Sequence, residues 1–117
     1  MNDESGDEVR HTPLTASLLE PVLLVLINER PRYGYTLLND LEALGMGTIH
    51  PSVVYRTLRE MEDLDWIRSA WDTNQTQGPP RRIYSLTEKG APIMRNWQQE
   101  LEKVQKMISE FLPRDGS

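Results

Sequence analysis

The chain has 117 residues, which is enough for one domain with a single modest core. Its 38% hydrophobic and 26% charged residues are typical of a folded globular protein and argue against a disordered chain. Cysteine is absent from the sequence, which excludes disulfides, thiolate metal sites and cysteine nucleophiles and fits a reducing compartment.

The net charge of −5 disfavours a polyanionic partner only at first sight, because the charge is unevenly distributed. The first ten residues hold four acidic side chains and one arginine, so they contribute three of the five excess negative charges. We expect residues 1–13 to be a disordered acidic tail and not a signal peptide, which would be basic. The most apolar stretch, residues 21–27, is far shorter than the ~20 residues that cross a bilayer, so we expect a cytoplasmic protein.

Two helices are predicted in the first third of the chain. The nearly continuous apolar run in residues 14–29 predicts a buried central helix, with Pro21 tolerated in its first turn. Pro31 closes this helix, and residues 32–34 predict a short connection. A second helix is predicted over residues 35–44, where leucines recur at helical spacing before Gly45.

A third helix is predicted from Pro51 to about Leu64, because proline is favoured in the first turn of a helix. One face of this helix is apolar and consists of Val53, Val54, Leu58, Met61 and Leu64. The opposite face carries polar and charged side chains, namely Ser52, Tyr55, Arg56, Arg59 and Glu60. The arginines lie together near the middle of the polar face.

The pattern then changes to that of a β-hairpin. Residues 66–71 and 82–86 alternate apolar and polar side chains, and the polar stretch between them contains glycine and two prolines, which predicts a loop. Thr87 is the predicted N-cap of a last helix that continues to about Leu112. Residues 113–117 are expected to be frayed.

The last helix carries apolar residues in alternating steps of four and three, which is the spacing of a coiled-coil seam. The seam residues are Trp97, Leu101, Val104, Ile108 and Phe111. One alternative is that the seam packs within its own subunit. A helix of ~25 residues is longer than a small core can cover, so we expect it to mediate self-association.

The order of elements predicts a mainly α protein with a small β-hairpin (α+β). It consists of a winged helix-turn-helix domain at residues 14–90 and a C-terminal dimerisation helix at residues 91–112. In such a fold the third helix fits the major groove, so Ser52, Tyr55, Arg56 and Arg59 are candidate DNA-binding residues. Arg81 and Arg82 of the hairpin would bind phosphates, which arginine binds in bidentate fashion.

Each of these residues also has a structural interpretation. Arg56 and Arg59 could form a solvated helix face paired with nearby acidic residues, and Tyr55 could pack against the second helix. Arg81 and Arg82 could protect a hairpin edge against aggregation. The two histidines are too isolated to form a metal site, and no metal or cofactor is expected.

Four segments follow one another in order along residues 18–90. The leucine run is followed by Pro31-Arg32-Tyr33-Gly34-Tyr35, and the third helix begins with Pro51-Ser52-Val53-Val54-Tyr55-Arg56-Thr57-Leu58. Trp66-Ile67 and Trp71 come next, and then the segment from Gly78 to Gly90. In this order the segments resemble the motifs of the PadR family of winged-helix transcriptional regulators, although Pro80 and Ile83 depart from the family's wing signature.

The resemblance implies a repressor that dimerises through its C-terminal helix on a near-palindromic operator. It adds Tyr35 to the DNA-binding residues. The short C-terminal part looks like the compact subgroup of the family, some members of which bind flat aromatic compounds between paired tryptophans. Trp97 matches that position and is the candidate ligand-binding residue.

The sequence argues against an enzyme, because it has no glycine-rich phosphate loop, metal-ligand spacing or nucleophile beside a histidine and an acid. Double-stranded DNA and a second copy of the chain are therefore the expected partners. Two alternatives remain open, a winged-helix protein–protein interaction module and a ligand sensor that does not bind DNA. Binding of duplex DNA that weakens as salt is added would exclude both alternatives. Such a salt dependence arises because contacts with DNA phosphates release counterions.

Overall fold

The computed structural model describes residues 12–73 and 81–113. The described helices and strands, in chain order, are α1 (Pro13–Ser17), α2 (Leu19–Glu29), β1 (Arg32–Tyr33), α3 (Gly34–Ala43), α4 (Pro51–Asp63), β2 (Ile67–Asp72), β3 (Arg81–Leu86) and α5 (Gly90–Phe111). Most of the acidic tail, most of the hairpin loop and the last four residues lie outside the described residues. The fold is mainly helical with a small antiparallel sheet, as the sequence predicts.

Helix α2 is the centre of the core, as its apolar run predicts. Leu23 and Leu24 are fully buried, and Ile27 is buried one turn further along. Pro21 occupies the first turn of α2, where its missing N–H leaves no hydrogen bond unmade. The helix ends at Glu29, because Arg30 before Pro31 adopts an extended conformation.

The next two helices surround this centre. Helix α3 ends at Ala43, and Gly45 follows with a φ of +86°, a conformation that glycine adopts without steric cost. Helix α4 begins at Pro51, and the His50 Nδ1 atom accepts a hydrogen bond from the Ser52 N–H at 3.1 Å. The buried face of α4 consists of Val54, Leu58 and Met61.

The sheet has three strands, which corrects the expectation of a two-stranded hairpin. Residues 32–34 are not a connection, because Arg32 and Tyr33 form strand β1 and Gly34 begins α3. Strand β1 pairs antiparallel with β3, so the order in the sheet is β1–β3–β2. The hairpin itself is confirmed, with Ile67 opposite Leu86 and Asp72 opposite Arg81.

A buried arginine explains why this short strand is held in place. Arg32 is only 6% exposed, and its guanidinium donates to Asp40 Oδ2 at 2.5 Å and to Glu29 Oε1 at 2.6 Å. These two ion pairs join the end of α2 to α3 across β1. Two carboxylates compensate the desolvation of the guanidinium, which would otherwise be costly.

Thr87 connects the sheet to the last helix, but the prediction that it is the N-cap is wrong, because the helix begins at Gly90 and its N-cap is Lys89. The Thr87 hydroxyl oxygen accepts a hydrogen bond from the Gly90 N–H at 2.9 Å and donates to the Asp65 carbonyl at 2.6 Å. The Thr87 N–H also donates to the Trp66 carbonyl at 3.1 Å. Helix α5 therefore begins one turn after Thr87, directly beside the segment that joins α4 to β2.

Only the first turns of α5 belong to the core. Met94 is buried, Ile93 and Trp97 pack against the core cluster, and the Trp97 indole N–H donates to Glu20 Oε2 at 3.1 Å. Further along, the apolar side chains become progressively exposed, reaching 66% at Phe111. No helix in residues 12–73 and 81–113 is long and apolar enough to cross a membrane.

We predict that Gly90→Ala lowers the free energy of unfolding by roughly 3 kcal/mol or more. A Cβ atom at this position would lie 2.0 Å from the Trp66 carbonyl oxygen, and a backbone atom cannot move aside as a flexible side chain can. Urea denaturation measures the change.

The matched control is Gly47→Ala, whose Cβ atom would lie 3.2 Å from the Cγ atom of Glu42, an exposed and flexible side chain. This variant should stay within about 1 kcal/mol of the wild type. Equal stability of the two variants would show that α5 can move away from Trp66 without any loss in the free energy of unfolding.

Candidate nucleic-acid interface

The polar face of α4 is open to solvent in the structure. The four predicted DNA-binding residues of this helix, Ser52, Tyr55, Arg56 and Arg59, are all exposed. Their spacing of three, one and three places them on one face of the helix, opposite the buried Val54 and Leu58. An exposed helix face of this kind fits the major groove of B-DNA.

Tyr55 packs against the second of the predicted helices, which is the structural role that the sequence left open. Its ring packs against the start of α3, where a Cβ atom on Gly34 would lie 2.9 Å from Tyr55 Cε1. The same side chain is 36% exposed, so its outer part remains free to contact a partner. Gly34 therefore lets α3 and α4 approach closely at the edge of the exposed face.

The two arginines of strand β3 lie over aromatic rings. The guanidinium carbon of Arg81 is 4.7 Å from the ring centroid of Tyr35, and that of Arg82 is 4.5 Å from the ring centroid of Trp71. Tyr35 is itself stacked on Tyr33, with the ring centroids 5.5 Å apart. Cation–π contacts orient a guanidinium without neutralising its charge.

Hydrogen bonds also connect the hairpin to α4. Arg82 Nη1 donates to Ser69 Oγ at 2.5 Å, and Ser69 Oγ donates to Glu62 Oε2 at 2.6 Å. Arg82 is therefore held at a defined position relative to α4, through a hydroxyl and not through a direct ion pair.

On the other side of the hairpin, the Tyr33 hydroxyl donates to Asp72 Oδ2. This hydrogen bond stabilises the protonated phenol and raises the pKa of Tyr33 above its ordinary value.

The arginines of α4 and the hairpin form no ion pair with the carboxylates that the structure describes. Within residues 12–73 and 81–113, the ion pairs involve Arg32, and no described carboxylate pairs with Arg56, Arg59, Arg81 or Arg82. The alternative in which Arg56 and Arg59 pair with neighbouring acidic residues therefore finds no support in the described contacts. Unpaired guanidiniums on one surface provide the charge that a phosphate backbone requires.

A hollow of about 420 Å³ lies between α4, the start of α3 and the hairpin. We call it the wing recess, and its lining residues are Gly34, Tyr35, Tyr55, Trp71, Arg81, Arg82 and Tyr84. It brings together four of the predicted DNA-binding residues, while Ser52, Arg56 and Arg59 lie outside its lining.

Sequence reasoning missed Gly34, Trp71 and Tyr84 as members of this site. Trp71 is 58% exposed, and its position at the end of a strand beside a polar loop was the available signal. The other two give no such signal, because Tyr84 is buried on its alternating strand and Gly34 has no side chain. No cluster of described residues is arranged to hold a metal ion.

Comparison with known proteins identifies the family and the fold. The family model described as the transcriptional regulator PadR-like family matches residues 22–96. A PadR-like transcriptional regulator from Bacillus cereus has a similar structure, with a TM-score of 0.79 at 23% identity, covering 89% of this chain and 100% of that chain. A transcriptional regulator from Streptococcus has a TM-score of 0.75 at 27% identity, covering 88% of this chain and 100% of that one.

A PadR family transcriptional regulator from Eggerthella lenta has a TM-score of 0.69 at 24% identity, and the match covers 87% of this chain and 88% of that chain. No curated protein matches the sequence. The family model spans well over half of the chain, from α2 to the second turn of α5. The chain therefore belongs to the PadR-like family of transcriptional regulators.

Proposed function

We propose that this transcriptional regulator binds a near-palindromic operator as a homodimer and represses the genes that the operator controls. The observation that carries the proposal is the surface formed by α4 and the hairpin, where four arginines have no carboxylate partner among the described residues. A dimer that occupies promoter DNA represses most simply by excluding the polymerase.

Different parts of this surface have different roles in the proposal. The exposed face of α4 enters the major groove, where Arg56 and Arg59 contact base edges and Ser52 contacts the backbone near the helix N-terminus. Arg81 and Arg82 contact phosphates on either side, positioned by Tyr35 and Trp71.

The dimer forms through the distal part of α5. Trp97 and Met94 complete the core of one chain, but the seam continues through Leu101, Val104 and Ile108, which are only half-buried in the single chain. Apolar side chains at a heptad spacing are typical of helix pairing. Residues 91–112 are therefore assigned to dimerisation, with the first two turns shared with the winged-helix domain of residues 14–90.

A ligand site at Trp97 is part of the proposal. The ring borders a shallow hollow of about 250 Å³ lined by Ile93, Asn96, Trp97 and Glu100, which could accept one edge of a flat aromatic molecule. The hydrogen bond to Glu20 and the packing against the core also give Trp97 a structural role within its own chain. A twofold axis along α5 would be needed to bring two such rings together.

A protein–protein interaction module is the competing function, and the net charge of −5 is its main support. Titration of nonspecific duplex DNA at low and moderate salt separates the two. A DNA-binding dimer should lose affinity steeply as salt increases, because phosphate contacts release counterions. Absence of binding at both salt concentrations would contradict the proposed function.

We predict that Arg56→Ala and Arg59→Ala each weaken operator binding by roughly 1–3 kcal/mol. The reason is that each arginine reads a base edge from the exposed face of α4. Fluorescence anisotropy with operator DNA selected from random oligonucleotides measures the loss. Arg95→Ala is the matched control, because Arg95 is exposed on α5 away from this surface. Unchanged affinity of the Arg56/Arg59 double variant would remove α4 as the recognition helix.

The double variant Arg81→Ala, Arg82→Ala should weaken binding to all duplexes alike and reduce the slope of log affinity against log salt by about two. Each lost phosphate contact removes about one released counterion. The measurement is a salt titration on operator and on unrelated DNA of equal length. A change in the preferred sequence would contradict the assignment, since it would mean that the hairpin reads bases.

Leu101→Asp should convert the dimer to a monomer, because it places a charge in the middle of the seam, facing its symmetry mate. Operator affinity should fall with it, since each half-site loses the contribution of its partner. Sedimentation velocity measures the oligomeric state. Gln99→Asp adds the same charge on the opposite, exposed face of α5 and should leave the dimer intact. A Leu101→Asp dimer as stable as the wild type would exclude the seam from the interface.

A further inference from the structure

The wing recess contains aromatic side chains that have no stacking partner in duplex DNA. Three of its side chains, Tyr35, Tyr55 and Trp71, are aromatic and exposed. In duplex DNA the bases are stacked inside the helix, so their ring faces are not available to these side chains. A hollow of about 420 Å³ is within the range of pockets that hold small organic molecules.

The positive charge of the recess indicates that a ligand would also carry an anionic group. Arg81 and Arg82 both line it, and neither pairs with a described carboxylate. Guanidiniums bind phosphate in bidentate geometry, and two of them match the charge of a phosphate monoester better than that of a single carboxylate.

Two acidic residues that neighbour these arginines in the sheet or in the hydrogen-bond network accept hydroxyl groups. Asp72 lies opposite Arg81 in the sheet, but its carboxylate accepts the Tyr33 hydroxyl. Glu62 accepts the Ser69 hydroxyl, which in turn accepts Arg82. Glu62 therefore reaches Arg82 through a hydroxyl group and not through a direct ion pair, and neither arginine forms an ion pair with a described carboxylate.

We infer that the wing recess binds a nucleotide, meaning an aromatic base joined through a sugar to a phosphate monoester, and that the bound nucleotide competes with operator DNA. The base stacks against Trp71, on the ring face that Arg82 does not cover, as bases do on single-strand-binding surfaces, and the phosphate binds Arg81 and Arg82. The competition rests on the proposed function, because it requires the same two arginines to contact DNA phosphates. The regulator would then be released from DNA without any change in its dimer.

Isothermal titration calorimetry on the full chain tests the binding with adenosine 5′-monophosphate as the probe. Adenosine supplies the ring without the charge, and inorganic phosphate supplies the charge without the ring. Each should bind at least about tenfold more weakly than the nucleotide, since each lacks one set of contacts. Equal affinity for the nucleotide and for inorganic phosphate would overturn the inference.

Two variants locate the site. The double substitution Arg81→Gln, Arg82→Gln should weaken nucleotide binding by about tenfold or more, while Arg95→Gln, on the exposed side of α5, should leave it unchanged. If binding is abolished by Trp97→Phe and survives in the Arg81/Arg82 variant, the nucleotide site lies on α5 and the inference is wrong.

The source of the nucleotide is decided by a comparison of the free mononucleotide with a single-stranded oligonucleotide of the same base. Tighter binding of the mononucleotide indicates a small-molecule effector, whereas tighter binding of the oligonucleotide at equal nucleotide concentration indicates an unpaired strand. Either result places the base and the phosphate in the recess, provided that the Arg81/Arg82 variant loses binding of both the mononucleotide and the oligonucleotide.

Competition is measured by operator anisotropy at increasing nucleotide concentration. The apparent dissociation constant of the operator should rise in proportion to the nucleotide, without a plateau, because the two cannot bind together. A plateau, which reports a ternary complex, would overturn the competition.

Operator binding without any nucleotide binding would overturn this inference alone. Nucleotide binding without any duplex binding would contradict the proposed function and leave the recess as a ligand site.

Discussion

The hydroxyl of Thr87 joins three parts of the molecule that are distant in sequence. It donates to the Asp65 carbonyl, which follows α4, and it accepts the N–H of Gly90, which begins α5. Gly90 allows this approach because the Trp66 carbonyl occupies the space that a Cβ atom would need. One residue thereby holds α4, the hairpin and α5 together, so any function that combines α4 with a dimer through α5 depends on this contact.

A second constraint explains how an acidic chain can present a basic surface. The net charge is −5, but Glu29 and Asp40 are paired with the buried Arg32 on β1. Glu62 is engaged by Ser69. The guanidiniums on α4 and β3 form no ion pair with the described carboxylates. Local placement of charge, and not its sum, then decides whether phosphates can approach.

The core of one chain covers only the first third of α5. A domain of this size buries a limited fraction of its surface, so a helix of 22 residues extends beyond the apolar surface available to it. Ile93, Met94 and Trp97 pack against the core, whereas Met107 and Phe111 are more than half exposed. This difference in burial along one helix supports the proposal that its distal part pairs with a second copy of the chain.

Much of the local structure was determined by the sequence itself. Prolines and glycines marked the ends of the helices, and the spacing of apolar residues identified both the buried face of α4 and its exposed arginines. Four motifs were sufficient to indicate the family. Tertiary structure decided what depends on residues far apart in the chain: the pairing of β1 with β3, the stacking of Arg81 on Tyr35, and the inclusion of Gly34, Trp71 and Tyr84 in the wing recess. A strand of two residues has no periodicity to detect, and contacts between distant segments are set by how the core packs, which local propensity does not encode.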